Sequence, residues 1–110
     1  MVYTKGIATH AVTGSETFPA SLSIIEDVHF QYWIFYQMLT TTDAIEIKNY
    51  YWDDTAAAYQ LFGPPKTIAA TDLDDVAMFA FSFVTQFRVG LRTLAGTNRT
   101  VNIKWVKVIP

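Results

Sequence analysis

The 110-residue chain contains no cysteine. That excludes disulfide frameworks, thiolate nucleophiles and cysteine-ligated zinc, and leaves the redox compartment open. Charge is also scarce: Asp, Glu, Lys and Arg make up 16 % of the residues, and the net charge is −2 with eight basic side chains spread along the chain. Nothing here forms the basic footprint of a nucleic-acid-binding protein or a polybasic membrane anchor. Long apolar runs are missing too. The least polar stretch, residues 28–39, carries His29, Gln31 and Gln37 and is too short to cross a bilayer as a helix, so no membrane partner is expected. The first residues lack the basic and apolar regions of a secretory signal, which predicts cytoplasmic synthesis without signal cleavage.

Histidine occurs twice, as His10 and His29, and neither has a serine or acid at a spacing that suggests a triad. There is no H-x-x-x-H, no G-x-S-x-G and no Gly-rich phosphate loop, so nucleophilic, zinc-dependent and nucleotide chemistry have no sequence support. The chain reads as a non-enzyme with no cofactor.

Apolar residues, by contrast, reach 51 % and aromatics 15 %. A single core in a domain of this size does not comfortably hide that much apolar surface. Either the core is unusually aromatic or part of the surface meets a partner.

The patterning is that of strands. Phe79, Phe81 and Phe83 share one parity; Phe87, Val89 and Leu91 alternate with Arg88, Gly90 and Arg92; Val101, Ile103 and Trp105 alternate with Asn102 and Lys104. Phe79, Phe81, Phe83, Phe87, Val89, Leu91, Val101 and Ile103 are the expected core, with Arg88, Arg92, Asn102 and Lys104 on the opposite face. Ala95-Gly96-Thr97-Asn98 joins the last two runs and predicts an antiparallel hairpin. Asn98-Arg99-Thr100 fits a glycosylation sequon but reads more simply as part of that turn.

Upstream, residues 2–12 are extended and Thr13-Gly14-Ser15-Glu16 breaks the run, giving an N-terminal arm or edge strand over 1–20 ahead of one β domain over 21–110. Residues 21–25 read as a short strand. Residues 28–41 read as a long one with two apolar faces, which places it centrally or turns one face to another subunit. Its Val28, Phe30, Tyr32, Trp33 and Phe35 are therefore candidate interface residues. Ile45 and Ile47 point inward between Glu46 and Lys48, short strands are expected over 56–62 and from Ile68, and Gly63-Pro64-Pro65 separates them. The sum is an all-β fold, an antiparallel β-sandwich or jelly roll of about eight strands with little helix.

Two clusters suggest ligands. Asp72, Asp74 and Asp75, with Asp53 and Asp54, offer oxygen atoms to Ca²⁺, although the EF-hand spacing is missing; the alternative is solvated turns. Tyr50, Tyr51, Trp52, Asp53 and Asp54 combine rings and acids as a carbohydrate-binding surface does, yet neighbours in a strand face opposite ways, so at least one ring belongs to packing. Arg88 and Arg92 share an outward face and could pair with acids of a neighbour.

From Ala44 onward the order of an alternating strand (residues 44–48), an aromatic-acidic turn (51–54), a Phe87-Arg88-Val89 strand, Ala95-Gly96-Thr97-Asn98 and a last strand over 101–108 resembles small β-sandwich accessory proteins of tailed-bacteriophage virions, such as head-decoration and tail-associated proteins. The resemblance implies a structural subunit of a virion, assembled in the host cytoplasm. Its partners would be copies of itself and a capsid or tail protein. A carbohydrate-binding module and a small cytoplasmic barrel enzyme are the alternatives.

Overall fold

Eight strands form where the sequence alternates or is rich in β-branched and aromatic residues. They are β1 (Val2–Ala11), β2 (Val28–Phe35), β3 (Ala44–Asp53), β4 (Ala58–Leu61), β5 (Lys66–Ala69), β6 (Val76–Val84), β7 (Phe87–Ala95) and β8 (Thr100–Ile109) in a computed structural model that describes residues 2–70 and 76–109. A single 3₁₀ turn, Ala20–Leu22, accompanies them, and the described residues contain no α-helix. Every strand pair is antiparallel.

Sheet A has the order β1-β8-β2-β6. In sheet B, β3 is central, with β7 on one side and the short β4 and β5 on the other. The outer edge of β7 is closed by the chain itself. Residues 13–24 run beside it, with Thr17 and Leu91 exchanging two backbone hydrogen bonds (3.0 and 2.9 Å) and Ile24 and Phe87 two more (2.8 and 2.9 Å). The chain therefore passes from β1 to this segment, back to β2, across to β3, and later from β6 to β7 to β8, changing sheet each time. That winding is a jelly roll.

Between the sheets lie Val28, Phe30, Tyr32 and Ile34 of β2, Ile45 and Ile47 of β3, Phe87, Val89 and Leu91 of β7, and Val101 and Ile103 of β8, each at most 1 % exposed. The expected parity of the last strands is thus observed, with Asn102 and Lys104 exposed on the other face. Phe79 and Phe81 are half-buried against this core, and the side chain of Phe83 lies outside the described residues. The core is strongly aromatic: Tyr32 stacks on Phe79 at 5.1 Å, and Phe81 meets Phe87 at 4.8 Å.

Three sequence expectations are corrected. The connection through Gly96, which has φ +81°, is not a hairpin, because β7 pairs with β3 in one sheet and β8 with β1 and β2 in the other. The strand from Val28 ends at Phe35; beyond it Tyr36 and Leu39 stay buried in a loop that folds onto the core. Residues 21–25 make a 3₁₀ turn and one bridge at Ile24 rather than a strand.

Candidate functional site

The residues singled out by sequence separate once the sheets form. Val28, Phe30 and Tyr32 are core residues with at most 1 % exposure, so on the folded domain they offer no surface to a partner; this corrects the expectation for those three. Trp33 and Phe35 occupy the opposite face of the same strand and are half-exposed. The reason is the central position of β2: its even face meets sheet B, and its odd face is the outside of sheet A.

Pairing carries this outer face across all four strands. One row runs Ile7, Lys104, Trp33, Met78; the next runs Lys5, Val106, Gln31, Ala80. Tyr3 and Val108 flank His29 on one side, and Phe35 lies beside Asn102 on the other. Ile7 is 86 %, Tyr3 61 % and Met78 52 % exposed. None of the four strands contains Asp or Glu. Lys104 extends its ammonium to 5.2 Å from the Trp33 ring, so even this charge lies against an aromatic. At about 4.8 Å per strand the whole face covers roughly 600 Å², shared between these apolar side chains and Lys5, Lys104, Gln31 and Asn102.

The outer face of sheet B is different, because its charged side chains find partners within the chain, although the Nε–H groups of Arg88 and Arg92 are buried without a hydrogen-bond acceptor. The Arg88 guanidinium lies between the rings of Phe18 (3.9 Å) and Tyr59 (4.0 Å), and Arg92 reaches Glu46 at 3.1 Å. Both arginines therefore have partners within the chain. Glu16 crosses over Gly90, where a Cβ would collide with its carboxylate, and accepts the Tyr50 hydroxyl proton at 2.8 Å. Burial, followed by this carboxylate, pushes the Tyr50 phenol up to about 12.

The aromatic-acidic cluster does not converge. Tyr50 and Trp52 lie on the outer face of sheet B, with Trp52 edge-on to Tyr59 at 5.2 Å. Tyr51, on the opposite parity, meets Phe62 at 5.9 Å. Asp53 accepts the backbone N–H groups of Thr55 (2.9 Å) and Ala56 (3.3 Å), which makes it the stabiliser of its own turn. Asp72, Asp74 and Asp75 lie outside the described residues. Among the described residues no group of three or more His, Asp or Glu is placed to hold a metal ion.

The loop end near Gly96 is organised by a residue that sequence reading passed over. Asp43 is 3 % exposed and accepts the Thr40 and Thr97 backbone N–H groups (2.8 and 2.9 Å) and the Arg99 Nε–H at 2.9 Å. Those backbone donors, and then the arginine, hold its carboxyl down to about 2. The signal was the acid that ends a Thr-rich loop before a strand.

No protein-family model and no curated protein matches the sequence. Among solved structures, the chain is similar to a protein described with the words "Bacillus endospore appendages form a novel family of disulfide-linked pili". The TM-score is 0.62 at 15 % identity, over 96 % of this chain and 84 % of that one. At that identity the likeness is one of fold.

Proposed function

We propose that this chain is a non-enzymatic structural subunit that assembles with copies of itself through the outside of sheet A. The observation that carries this reading is the apolar, acid-free face of Tyr3, Ile7, Trp33, Phe35, Met78 and Val106. A jelly roll that leaves large apolar side chains exposed across one outer face is built to have that face covered. The likeness to a pilus protein supports a structural role. These 110 residues contain no cysteine, so contacts between copies of them are not disulfide-linked, unlike those of the pili.

A head-decoration or tail-associated role in a virion is the more specific form of the same reading, supported by the strand-and-turn order over residues 44–108. The two are told apart by what the purified chain makes alone: a filament for a pilus-like subunit, and no ordered polymer without a capsid or tail partner for a decoration protein.

Sedimentation of the intact chain and of Trp33→Glu over a range of concentrations tests the shared claim. The intact chain is expected to associate, and the variant, with a charge at the centre of the face, to associate more weakly at every concentration while keeping its β circular dichroism. Equal association of both would remove sheet A's outer face from the account.

A further inference from the structure

Counting sheet edges locates a second joint. Sandwich proteins protect their unpaired edges with charge, proline, short strands or a covering segment, because an unguarded edge templates another chain. The edges of sheet B are protected: residues 13–24 cover β7, and β4 and β5 are four residues each and are separated by Gly63-Pro64-Pro65. The ends of sheet A are less so. β1 carries Lys5 but is ten residues long, and β6 carries no charge at all. Val76–Val84 is nine residues long with no charge, proline or glycine, and among the described residues it pairs on one side only, with β2. A groove of about 380 Å³ lies beside it, lined by Phe62, Pro64, Pro65, Lys66, Phe79 and Phe81, with the Phe62 ring edge-on to Phe81 at 5.2 Å.

We infer that the free edge of β6 takes the free edge of β1 from a second copy, so that sheet A continues from subunit to subunit. This rests on the self-assembly reading above and specifies the joint. Four features favour this occupant. First, β1 and β6 are the two ends of one sheet, so each copy offers both halves of the joint. Second, the four strands alternate in direction. A copy that extends the sheet therefore brings β1 in antiparallel to β6, the commoner and slightly more stable pairing. Third, the two strands match in length at ten and nine residues. Fourth, extending the rows places the exposed Ile7 of the next copy beside the exposed Met78, and its Lys5 beside Ala80, with no cation on β6 to repel the lysine. Because the donor and acceptor surfaces differ, the contact is heterologous; with the edges on opposite sides of the sheet it propagates into a fibre. The apolar outer faces then merge into one continuous stripe.

The cysteine-free background makes the test direct. Ile7→Cys and Met78→Cys, both at exposed positions, are made singly and together, and the assembled protein is oxidised. Directly opposed residues of an antiparallel pair have Cα atoms about 4.5 to 5.5 Å apart, within disulfide reach. The double variant is expected to give a ladder of covalent dimers, trimers and higher forms, and each single variant none. Ala80→Lys, which guards the edge at an exposed position, is expected to abolish fibres while leaving the fold intact. Covalent dimers from Met78→Cys alone would mean that β6 pairs with β6 and would overturn the inference. Normal assembly of the double variant without a ladder would overturn it too, leaving the self-assembly reading standing. Failure of the intact chain to associate at all would sink both.

Discussion

Tyr32 and Asn49, on facing sheets, are joined through the middle of the core by a hydrogen bond from the phenol to the Asn49 Oδ1. Tyr32 is fully buried and Asn49 is 5 % exposed, so neither group has water as an alternative. Burial pushes the Tyr32 phenol well above its ordinary range, only partly opposed by the bond to Asn49. Asn49 also accepts the Phe62 N–H on its backbone oxygen at 2.7 Å, so the same residue anchors the strand that leads to the prolines.

Tyr32→Phe keeps the ring stacked on Phe79 but leaves the Asn49 side chain without its donor. A loss of about 1 to 3 kcal/mol is expected, the cost of stranding one buried polar group. Urea denaturation monitored by circular dichroism measures it; an unchanged midpoint would mean that Asn49 finds another partner.

Acid should loosen the end of the sandwich that Asp43 holds. Its folded carboxyl sits at about 2, below the ordinary aspartate range near 4, so its contribution to stability is present above pH 4 and is lost as pH falls from there through 2. Asp43→Asn is expected to lower stability at neutral pH and to flatten the dependence of the denaturation midpoint on pH in that window. A variant with the same acid limb as the parent would rule Asp43 out as its source.

Gly6 is held small by Trp105. A Cβ at residue 6 would stand 2.5 Å from the indole Cζ2, and the ring is packed against the core. Gly6→Val is expected to cost roughly 1 to 3 kcal/mol as overpacking. At Gly90 the obstacle is the end of the Glu16 side chain, which can swing away, so Gly90→Ala should be milder. Thermal melts of the two variants compare them, and the reverse order would contradict the packing described for β1 and β8.

Core truncation should follow the burial of the parity set. Phe87→Ala removes a fully buried ring that touches Phe30 and Phe81 and is expected to cost about 3 to 5 kcal/mol, whereas Phe18→Ala, at a 37 % exposed position, should cost less. Chemical denaturation of both variants checks the contrast.

The strands were legible because a half-buried sheet imposes period two on the sequence: Ile45 and Ile47, Phe87 to Leu91, and Val101 with Ile103 all fall where alternation puts them. What period two does not carry is which sheet a strand joins. The positive φ at Gly96 suits a hairpin and a crossover equally, since the turn is local and the partner of β8 is a hundred residues away in β1. The end of β2 was hidden for a related reason: Tyr36 and Leu39 continue the apolar run while the backbone has already left the sheet. The candidate face was half legible. Two apolar faces on residues 28–35 signalled a partner surface, but which face looked outward depended on sheet B. The rows that add Ile7, Met78 and Val106 exist only once β1, β6 and β8 are paired.

Electron microscopy of the purified intact chain tests self-assembly most directly. Ordered fibres, in which each copy extends sheet A of the last, are the expected result; particles that remain single 110-residue domains at high concentration would contradict the account.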